Sequence, residues 1–401
     1  QAVHHFDDAL TVLDHSPASE PDLMGRALTG RGLAFESLFD PDGITDSYRR
    51  LRRWAGSTGD QPLLLQAHSR LTALLMLVGQ QRESNELFQE LVEMVAADSV
   101  PAVADLIRRH TLIYGADSPE PAQESASEWA SLTPPPPIPG DPVAEILQIM
   151  EPVHAVVPLW EYGWTLRVQG QLADSKRCLE MAAHIGEETA QVAIASTAYH
   201  QLAVLASMVG DDEESQRLNE RSIALNRQGQ GPSVGLVSLW PRIASAFHSL
   251  RQGNVAEAEG RLERVLAILG ETDAFRNHRN STHICLGLVR TEQGRLDEAE
   301  TLIREAMSDA PSLYPYTHVR GLLGLAQICH ARGDVAGSAD FLRQALRYAG
   351  RRSLLEEYAE VVGTIVHLQP ADAPVDELVQ EARSAMQSVG FTAALRLLGK
   401  D

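Results

Sequence analysis

Apolar and small residues fall three and four positions apart along most of this chain, the spacing of a buried stripe on a helix. The clearest stretch runs from Ser281 to Ser308. Ile284, Cys285, Leu286, Leu288 and Val289 form one apolar run, Gln293-Gly294-Arg295 interrupts it, and Leu296, Ala299, Leu302, Ile303 and Ala306 form a second. This pattern predicts two helices joined at a glycine, which takes the left-handed conformation a helix C-terminus often needs. The arrangement recurs. Turn glycines stand at Gly170, Gly210, Gly253, Gly294 and Gly333, separated by 40, 43, 41 and 39 residues. Each is followed five residues later by a small residue: Ser175, Ser215, Ala258, Ala299 and Ser338. A fixed period of this size predicts a helical solenoid, whose units pack on their neighbours and need no single large core.

Within the unit, Leu286-Gly287 stands eight and seven positions before the turn glycine, Ala299 falls where the two helices cross, and Ala306 follows. Together these resemble the tetratricopeptide repeat. The frame also fits Leu325-Ala326, Ser338 and Ala345 around Gly333, and Tyr162-Gly163, Ser175 and Ala182 around Gly170. Leu202-Ala203 and Ser215 fit it around Gly210; Ser245-Ala246, Ala258, Leu262 and Val265 follow it more loosely around Gly253. Gly79, with Leu71 before it and Ser84 and Phe88 after it, opens an earlier unit. The resemblance implies an all-α, right-handed superhelical solenoid of about 8–9 helix pairs. The period is nearer 40 than the usual ~34 residues, which implies longer helices or longer turns between repeats. Such long repeats resemble the superhelix of the maltose-responsive activator (MalT-like) and of related signal-transduction ATPases (STAND) of the LuxR, AfsR and cyclase-linked types. In that group a sensor solenoid accompanies a nucleotide-binding switch and an output module. The resemblance covers roughly residues 60–400 and is densest over 155–350.

The breaks in the pattern divide the chain. Residues 1–60 read as irregular N-terminal helical repeats, and 61–150 as one repeat followed by a degenerate one carrying a proline-rich loop over 134–142. That run, from Pro134 to Pro142, cannot be helical and reads as a rigid spacer between helices. Residues 151–350 hold the regular repeats. Residues 351–401 read as C-terminal capping helices, in which Gln369-Pro370-Ala371-Asp372-Ala373-Pro374 replaces the turn glycine.

Composition narrows the chemistry. The chain of 401 residues carries 54 acidic and 34 basic side chains, a formal charge of −20, which opposes direct contact with a nucleic-acid backbone. Only Lys176 and Lys400 are lysines, so no phosphate-binding GxxxxGK[ST] loop can be written. Any nucleotide switch of the resembled group would lie outside this chain, which begins at Gln1 inside a helical pattern and reads as a piece of a longer protein. Cys178, Cys285 and Cys329 form no CxxC pair and suggest reduced thiols, with Cys285 and Cys329 as small buried hydrophobes. No apolar run approaches 18 residues, and a cytoplasmic location without membrane contact is expected. His278 and His283 are five apart, off the spacing of a helical metal site. No metal, cofactor or catalytic constellation is expected, and the chain does not read as an enzyme.

Binding remains. In tetratricopeptide solenoids the first helix of each pair lines the concave groove, through positions about 13, 10, 6, 3 and 2 before the turn glycine. This frame places Trp160, Trp164 and Arg167 in the groove from the first regular repeat, and His200 from the next. Trp240, Phe247 and Arg251 follow, then Arg320, Gln327 and His330. Aromatic and arginine side chains dominate binding hot spots, because they bury large area and carry directed donors. The three tryptophans could equally fill space between long helices. Two readings follow: a sensor or interaction arm of a larger cytoplasmic bacterial regulator with a small effector or partner in its groove, or a passive scaffold holding a peptide or partner protein.

Overall fold

A computed structural model describes residues 2–15, 21–38, 40–77, 80, 83, 84, 86, 87, 90, 101–114, 129, 131–133, 135–228, 239–270, 275–308, 314–391, 395 and 398. Gly79, Phe88 and Pro134 lie outside them. The described residues form eighteen α-helices and no strand, stacked as a solenoid of tetratricopeptide type. The first six are α1 (Ala2–Asp14), α2 (Pro21–Leu38), α3 (Pro41–Thr58), α4 (Gln61–Leu77), α5 (Pro101–Tyr114) and α6 (Pro142–Ile149). The regular repeats follow as α7 (Pro152–Val168), α8 (Leu172–Glu188), α9 (Val192–Met208), α10 (Asp212–Gln228), α11 (Leu239–Arg251), α12 (Val255–Leu269), α13 (Arg276–Glu292) and α14 (Leu296–Met307). The chain closes with α15 (Pro315–Ala331), α16 (Val335–Arg351), α17 (Leu355–Leu368) and α18 (Val375–Val389).

The long period has a simple origin. Helices α7, α8, α9, α10, α15 and α16 are each 17 residues long. Turns of three residues, such as 169–171 and 189–191, join them, so two helices and two turns make the repeat of 40. The extra residues thus sit in the helices. Every turn glycine of the frame has a positive φ: +78° at Gly170, +82° at Gly210, +80° at Gly253, +73° at Gly294 and +79° at Gly333.

Packing follows the small residues. Ala299 and Gly287 let α14 approach α13 so closely that a Cβ at Gly287 would stand 3.1 Å from the Ala299 carbonyl oxygen. In the first regular repeat Ser175 Oγ donates to the Gly163 carbonyl at 2.6 Å, from five residues after the turn to seven before it. Ser84 Oγ donates to the Thr72 carbonyl at 2.9 Å in the same relative positions, so the unit around Gly79 is built the same way.

Two cores run through the stack. One joins α5–α10 to α15–α18; the other holds α1–α4 together with α11–α13. Residues far apart in sequence therefore meet. Arg167 at the end of α7 reaches Glu356 of α17 at 3.3 Å. The Leu355 side chain lies 2.6 Å from where a Cβ at Gly170 would stand.

The proline-rich segment departs from the expected spacer. It is a strap that crosses between distant repeats. Arg109 of α5 and Gln171 both donate to the Pro136 carbonyl, at 2.6 and 3.0 Å. At its other end the Thr133 amide donates to the Gly350 carbonyl at 2.9 Å, and Ser353 Oγ donates to the Thr133 carbonyl at 2.7 Å. Trp129 Nε1 donates to the Asp372 carbonyl at 3.1 Å. A run of prolines fixes an extended backbone with free carbonyls, which suits a strap as well as a spacer.

In the basic run Arg49-Arg50-Leu51-Arg52-Arg53, three of the four arginines meet carboxylates: Arg49 pairs with Glu83 at 2.5 Å, Arg50 with Asp14 at 3.2 Å, and Arg52 with Glu90. Among the described residues no helix is long and apolar enough to cross a membrane. Cys178 and Cys285 are buried, whereas Cys329, expected to be buried, is half-exposed near the end of α15.

Candidate functional site

Helix α7 is buried from Ala155 to Val168 on every side, an unusual state for a solenoid helix. It packs against α4, α5, α6, α8 and α9, and Arg167 near its end reaches Gln201 of α9 and Glu356 of α17. Trp160 and Trp164 are each 8% exposed and belong to the core that also contains Tyr314 and the buried residues of α15 and α17. Trp240 opens α11 and packs against both cores. Its ring lies edge-on to Tyr314 at 5.0 Å and to Tyr316 at 5.6 Å, with His278 of α13 tilted at 4.6 Å. Tyr314 and Tyr316 stack on each other at 5.6 Å, 14° from parallel.

Charged groups border these rings. Arg167 Nε donates to Gln201 Oε1 at 2.9 Å, and its other arm pairs with Glu356. The Arg320 guanidinium lies 3.9 Å above the Phe247 ring and 5.6 Å from that of Tyr316, and it faces Glu360 at 3.7 Å. Burial pushes the Glu161 carboxyl up to about 8. Burial, with Glu356 beside it, likewise pushes Glu357 up to about 7. Burial also raises the Tyr314 phenol well above its usual value. Burial raises the Tyr316 phenol, with Tyr314 adding to the shift and Arg320 and Arg167 opposing it. His200 is buried beside Arg167 and Asn219, and desolvation lowers its pKa to about 4.

Of the ten groove residues read from the sequence, seven share this region: Trp160, Trp164, Arg167, His200, Trp240, Phe247 and Arg320. Three do not join it. Arg251 and His330 are exposed at the ends of α11 and α15, and Gln327 is half-buried without a contact to the aromatic cluster. Gln327 and His330 stand at the same distances before their turn glycine as Trp164 and Arg167, which do join the region, so the frame position alone does not decide it. Tyr314, Tyr316, Glu161, Glu356, Glu357 and Glu360 were missed. Tyr316 stands four residues before Arg320, one turn further along the same face, and the 17-residue helix supplies that extra turn. The 40-residue period was the available signal.

A second feature lies elsewhere. An open furrow of about 610 Å³ runs between α12, α13 and α14, lined by Leu266, Leu286 and Leu302 with Glu263, Arg290 and Glu298 on its rim. Among the described residues no three His, Cys, Asp or Glu side chains group to hold a metal ion.

The tetratricopeptide repeat family profile matches residues 280–305 and 319–344, which fall on α13–α14 and α15–α16. Fold and matched segments together define an α-solenoid of tetratricopeptide type, a class of interaction scaffold. Among solved structures the chain is similar to one in the crystal structure of the APC/C hetero-tetramer Cut9–Hcn1, at 10% identity and a TM-score of 0.44. That alignment covers 100% of this chain and 68% of the other. It is also similar to the crystal structure of the P58(IPK) TPR domain, at 14% identity and a TM-score of 0.28, covering 91% of this chain and 99% of that one. No curated protein matches the chain.

Proposed function

We propose that this chain is the binding arm of a larger regulatory protein, of the kind found in MalT-like signal-transduction ATPases, and that its ligand is held on the inner face around Trp160, Trp164, Arg167 and Trp240. The observation that carries this reading is the Arg167–Glu356 contact at 3.3 Å, which joins α7 to α17 across the inner face. A ligand among these side chains touches repeats on both sides of that contact and favours one arrangement of the arm over another. That differential affinity is the requirement for a population-shift sensor. Binding suits this face, which offers aromatic and arginine anchors among the described residues.

The open furrow between α12 and α14 favours a second reading, a scaffold that holds a partner segment away from the tryptophans. Native mass spectrometry after incubation with host-cell extract separates the two. A small-molecule adduct that is retained by the native chain and lost in Trp164→Ala and Arg167→Ala, with helicity unchanged by circular dichroism, supports the sensor arm. An adduct indifferent to both substitutions removes the inner face from the account. A protein partner lost on Leu302→Asp in the furrow favours the scaffold.

A further inference from the structure

The furrow between α12, α13 and α14 shares no residue with the aromatic cluster. Helices α12 and α14 are the second helices of neighbouring pairs, and they flank α13. Leu286 of α13, 6% exposed, forms the floor, while the half-buried Leu266 and Leu302 line the two walls. Leu286 belongs to the second core and the other two leucines pack against it, so the trough is anchored in the body of the stack. Its volume of about 610 Å³ falls within the range of drug-sized sites, roughly 300–1,000 Å³, yet it is open where such sites enclose their ligand.

The border is acidic. Glu263, Asp297 and Glu298 line it against a single base, Arg290. That arginine is already held from both walls, by Glu259 of α12 and by Glu298 of α14 at 3.8 Å, so it has little to offer an anion. Glu298 also meets Arg295 at 2.5 Å, and Asp297 meets Arg332 at 2.5 Å. Ion pairs between exposed groups are weak and exchange readily with a competing cation. Glu263 stands exposed on α12 with no cation at ion-pair distance among the described residues. An apolar trough edged by carboxylates is complementary to a segment that is apolar on one side and carries cations at its edges.

The backbone groups of α12, α13 and α14 bond within their own helices, so the furrow gives an extended chain no ladder of main-chain partners. A helix satisfies its own backbone and brings only side chains. Its apolar stripe at i, i+3, i+4 and i+7 matches a leucine-lined trough between two helices. Resting on the scaffold reading of this furrow and deepening it, we infer that the furrow docks a basic amphipathic helix of a partner protein. The helix sets its apolar stripe on Leu266, Leu286 and Leu302 and its lysines or arginines on Glu263 and Glu298.

Fluorescence anisotropy of the whole chain tests this with three labelled peptides of about fifteen residues, long enough to form a helix on the surface. The first is built of leucine and lysine alone, with the leucines on one helical face; the second replaces every lysine by glutamate; the third carries a proline at the centre of the first. Saturable binding of the leucine–lysine peptide is expected, with none of the glutamate peptide and at least tenfold weaker binding of the proline peptide. Glu263→Gln should weaken the leucine–lysine peptide about threefold and Leu302→Asp at least tenfold. Leu302→Asp adds a negative charge, so attraction to the acidic chain at large would leave affinity unchanged or raise it, and that result overturns the proposal. Leu266→Gln repeats the test with no change of charge, and circular dichroism checks that each variant is folded. Absence of saturable binding, or equal binding of the glutamate or proline peptide, also overturns it. A protein partner from cell extract that depends on Leu302 but docks through an acidic or extended segment overturns the basic helix while the scaffold reading stands.

Discussion

Glu161 and the buried histidines titrate against folding from opposite sides of neutrality. The Glu161 pKa is about 8 in the folded protein, above the ordinary carboxyl value, because burial disfavours its charge. Its contribution to stability is therefore complete below the unfolded value of about 4.3 and is lost as pH rises through about 8. Glu357 acts in the same sense. His110 and His278 are lowered to about 3, and His154 and His200 to about 4, each chiefly by desolvation. Depressed histidines contribute stability above about pH 6.5 and lose it as pH falls toward those values. From pH 7.5 to 8.5 the histidines are neutral in both states, so the carboxyls, with the buried Cys178 and Cys285 thiols acting in the same sense, should make the urea midpoint fall. Glu161→Gln should flatten the fall. An equally steep slope in the variant would mean that Glu161 is not the group responsible.

At the scale of the element, the turn between helices is where sequence and structure agree most closely and where one change should stabilise. Five turns carry glycine at positive φ, and these were legible because glycine is the residue such a turn selects. Two equivalent turns carry Ala190 at φ +57° and Ser353 at φ +55°, and nothing in a glycine search could reveal them. Their bonding is nevertheless the same. The amide of Gln191 donates to the Gly186 carbonyl at 2.8 Å, and that of Leu354 to the Ala349 carbonyl at 3.0 Å, as Gln171 does to Leu166 at 2.9 Å in the glycine turn. A left-handed alanine carries a steric cost of roughly 1–2 kcal/mol, partly offset because glycine adds freedom to the unfolded chain. Ala190→Gly should therefore stabilise the protein by about 0.5–1 kcal/mol in a denaturant titration. Gly333→Ala should destabilise it by about 1 kcal/mol. Seven of the ten residues named by the groove frame lie in the aromatic region, but a frame built on 34-residue repeats stops one turn short. It could not reach Tyr316, nor Glu356 and Glu357 at the start of α17, which has no turn glycine behind it.

For the whole molecule, the proline-rich strap decides whether the repeats behave as an open coil or as one body. Each solenoid repeat ordinarily contacts only its neighbours, so a stack can flex along its length. Here Trp129, Thr133 and Pro136 join α5 and α7 to the turns around α16–α18, and Arg167–Glu356 and Gly170–Leu355 back up the same closure. Proline periodicity shows only that the segment is extended; what its carbonyls meet depends on repeats some two hundred residues away, beyond any local reading. The buried anchor is Arg109, fully enclosed with Asp105, to which Tyr162 also donates. Removing Arg109 would strand that carboxylate at a cost of roughly 3–5 kcal/mol, confounding closure with unfolding. The cleaner variant is Trp129→Ala with Gln171→Ala, which weakens the strap at each end, with the Arg109 and Thr133 contacts retained, and leaves the buried pair intact. Helicity should stay unchanged, while small-angle scattering should report a larger radius of gyration and hydrogen exchange should quicken in α17 and α18. If both quantities stay at their native values, the Arg167–Glu356 side of the closure suffices by itself. The arrangement of the inner face then depends on the residues that line it, and the strap is only a cover.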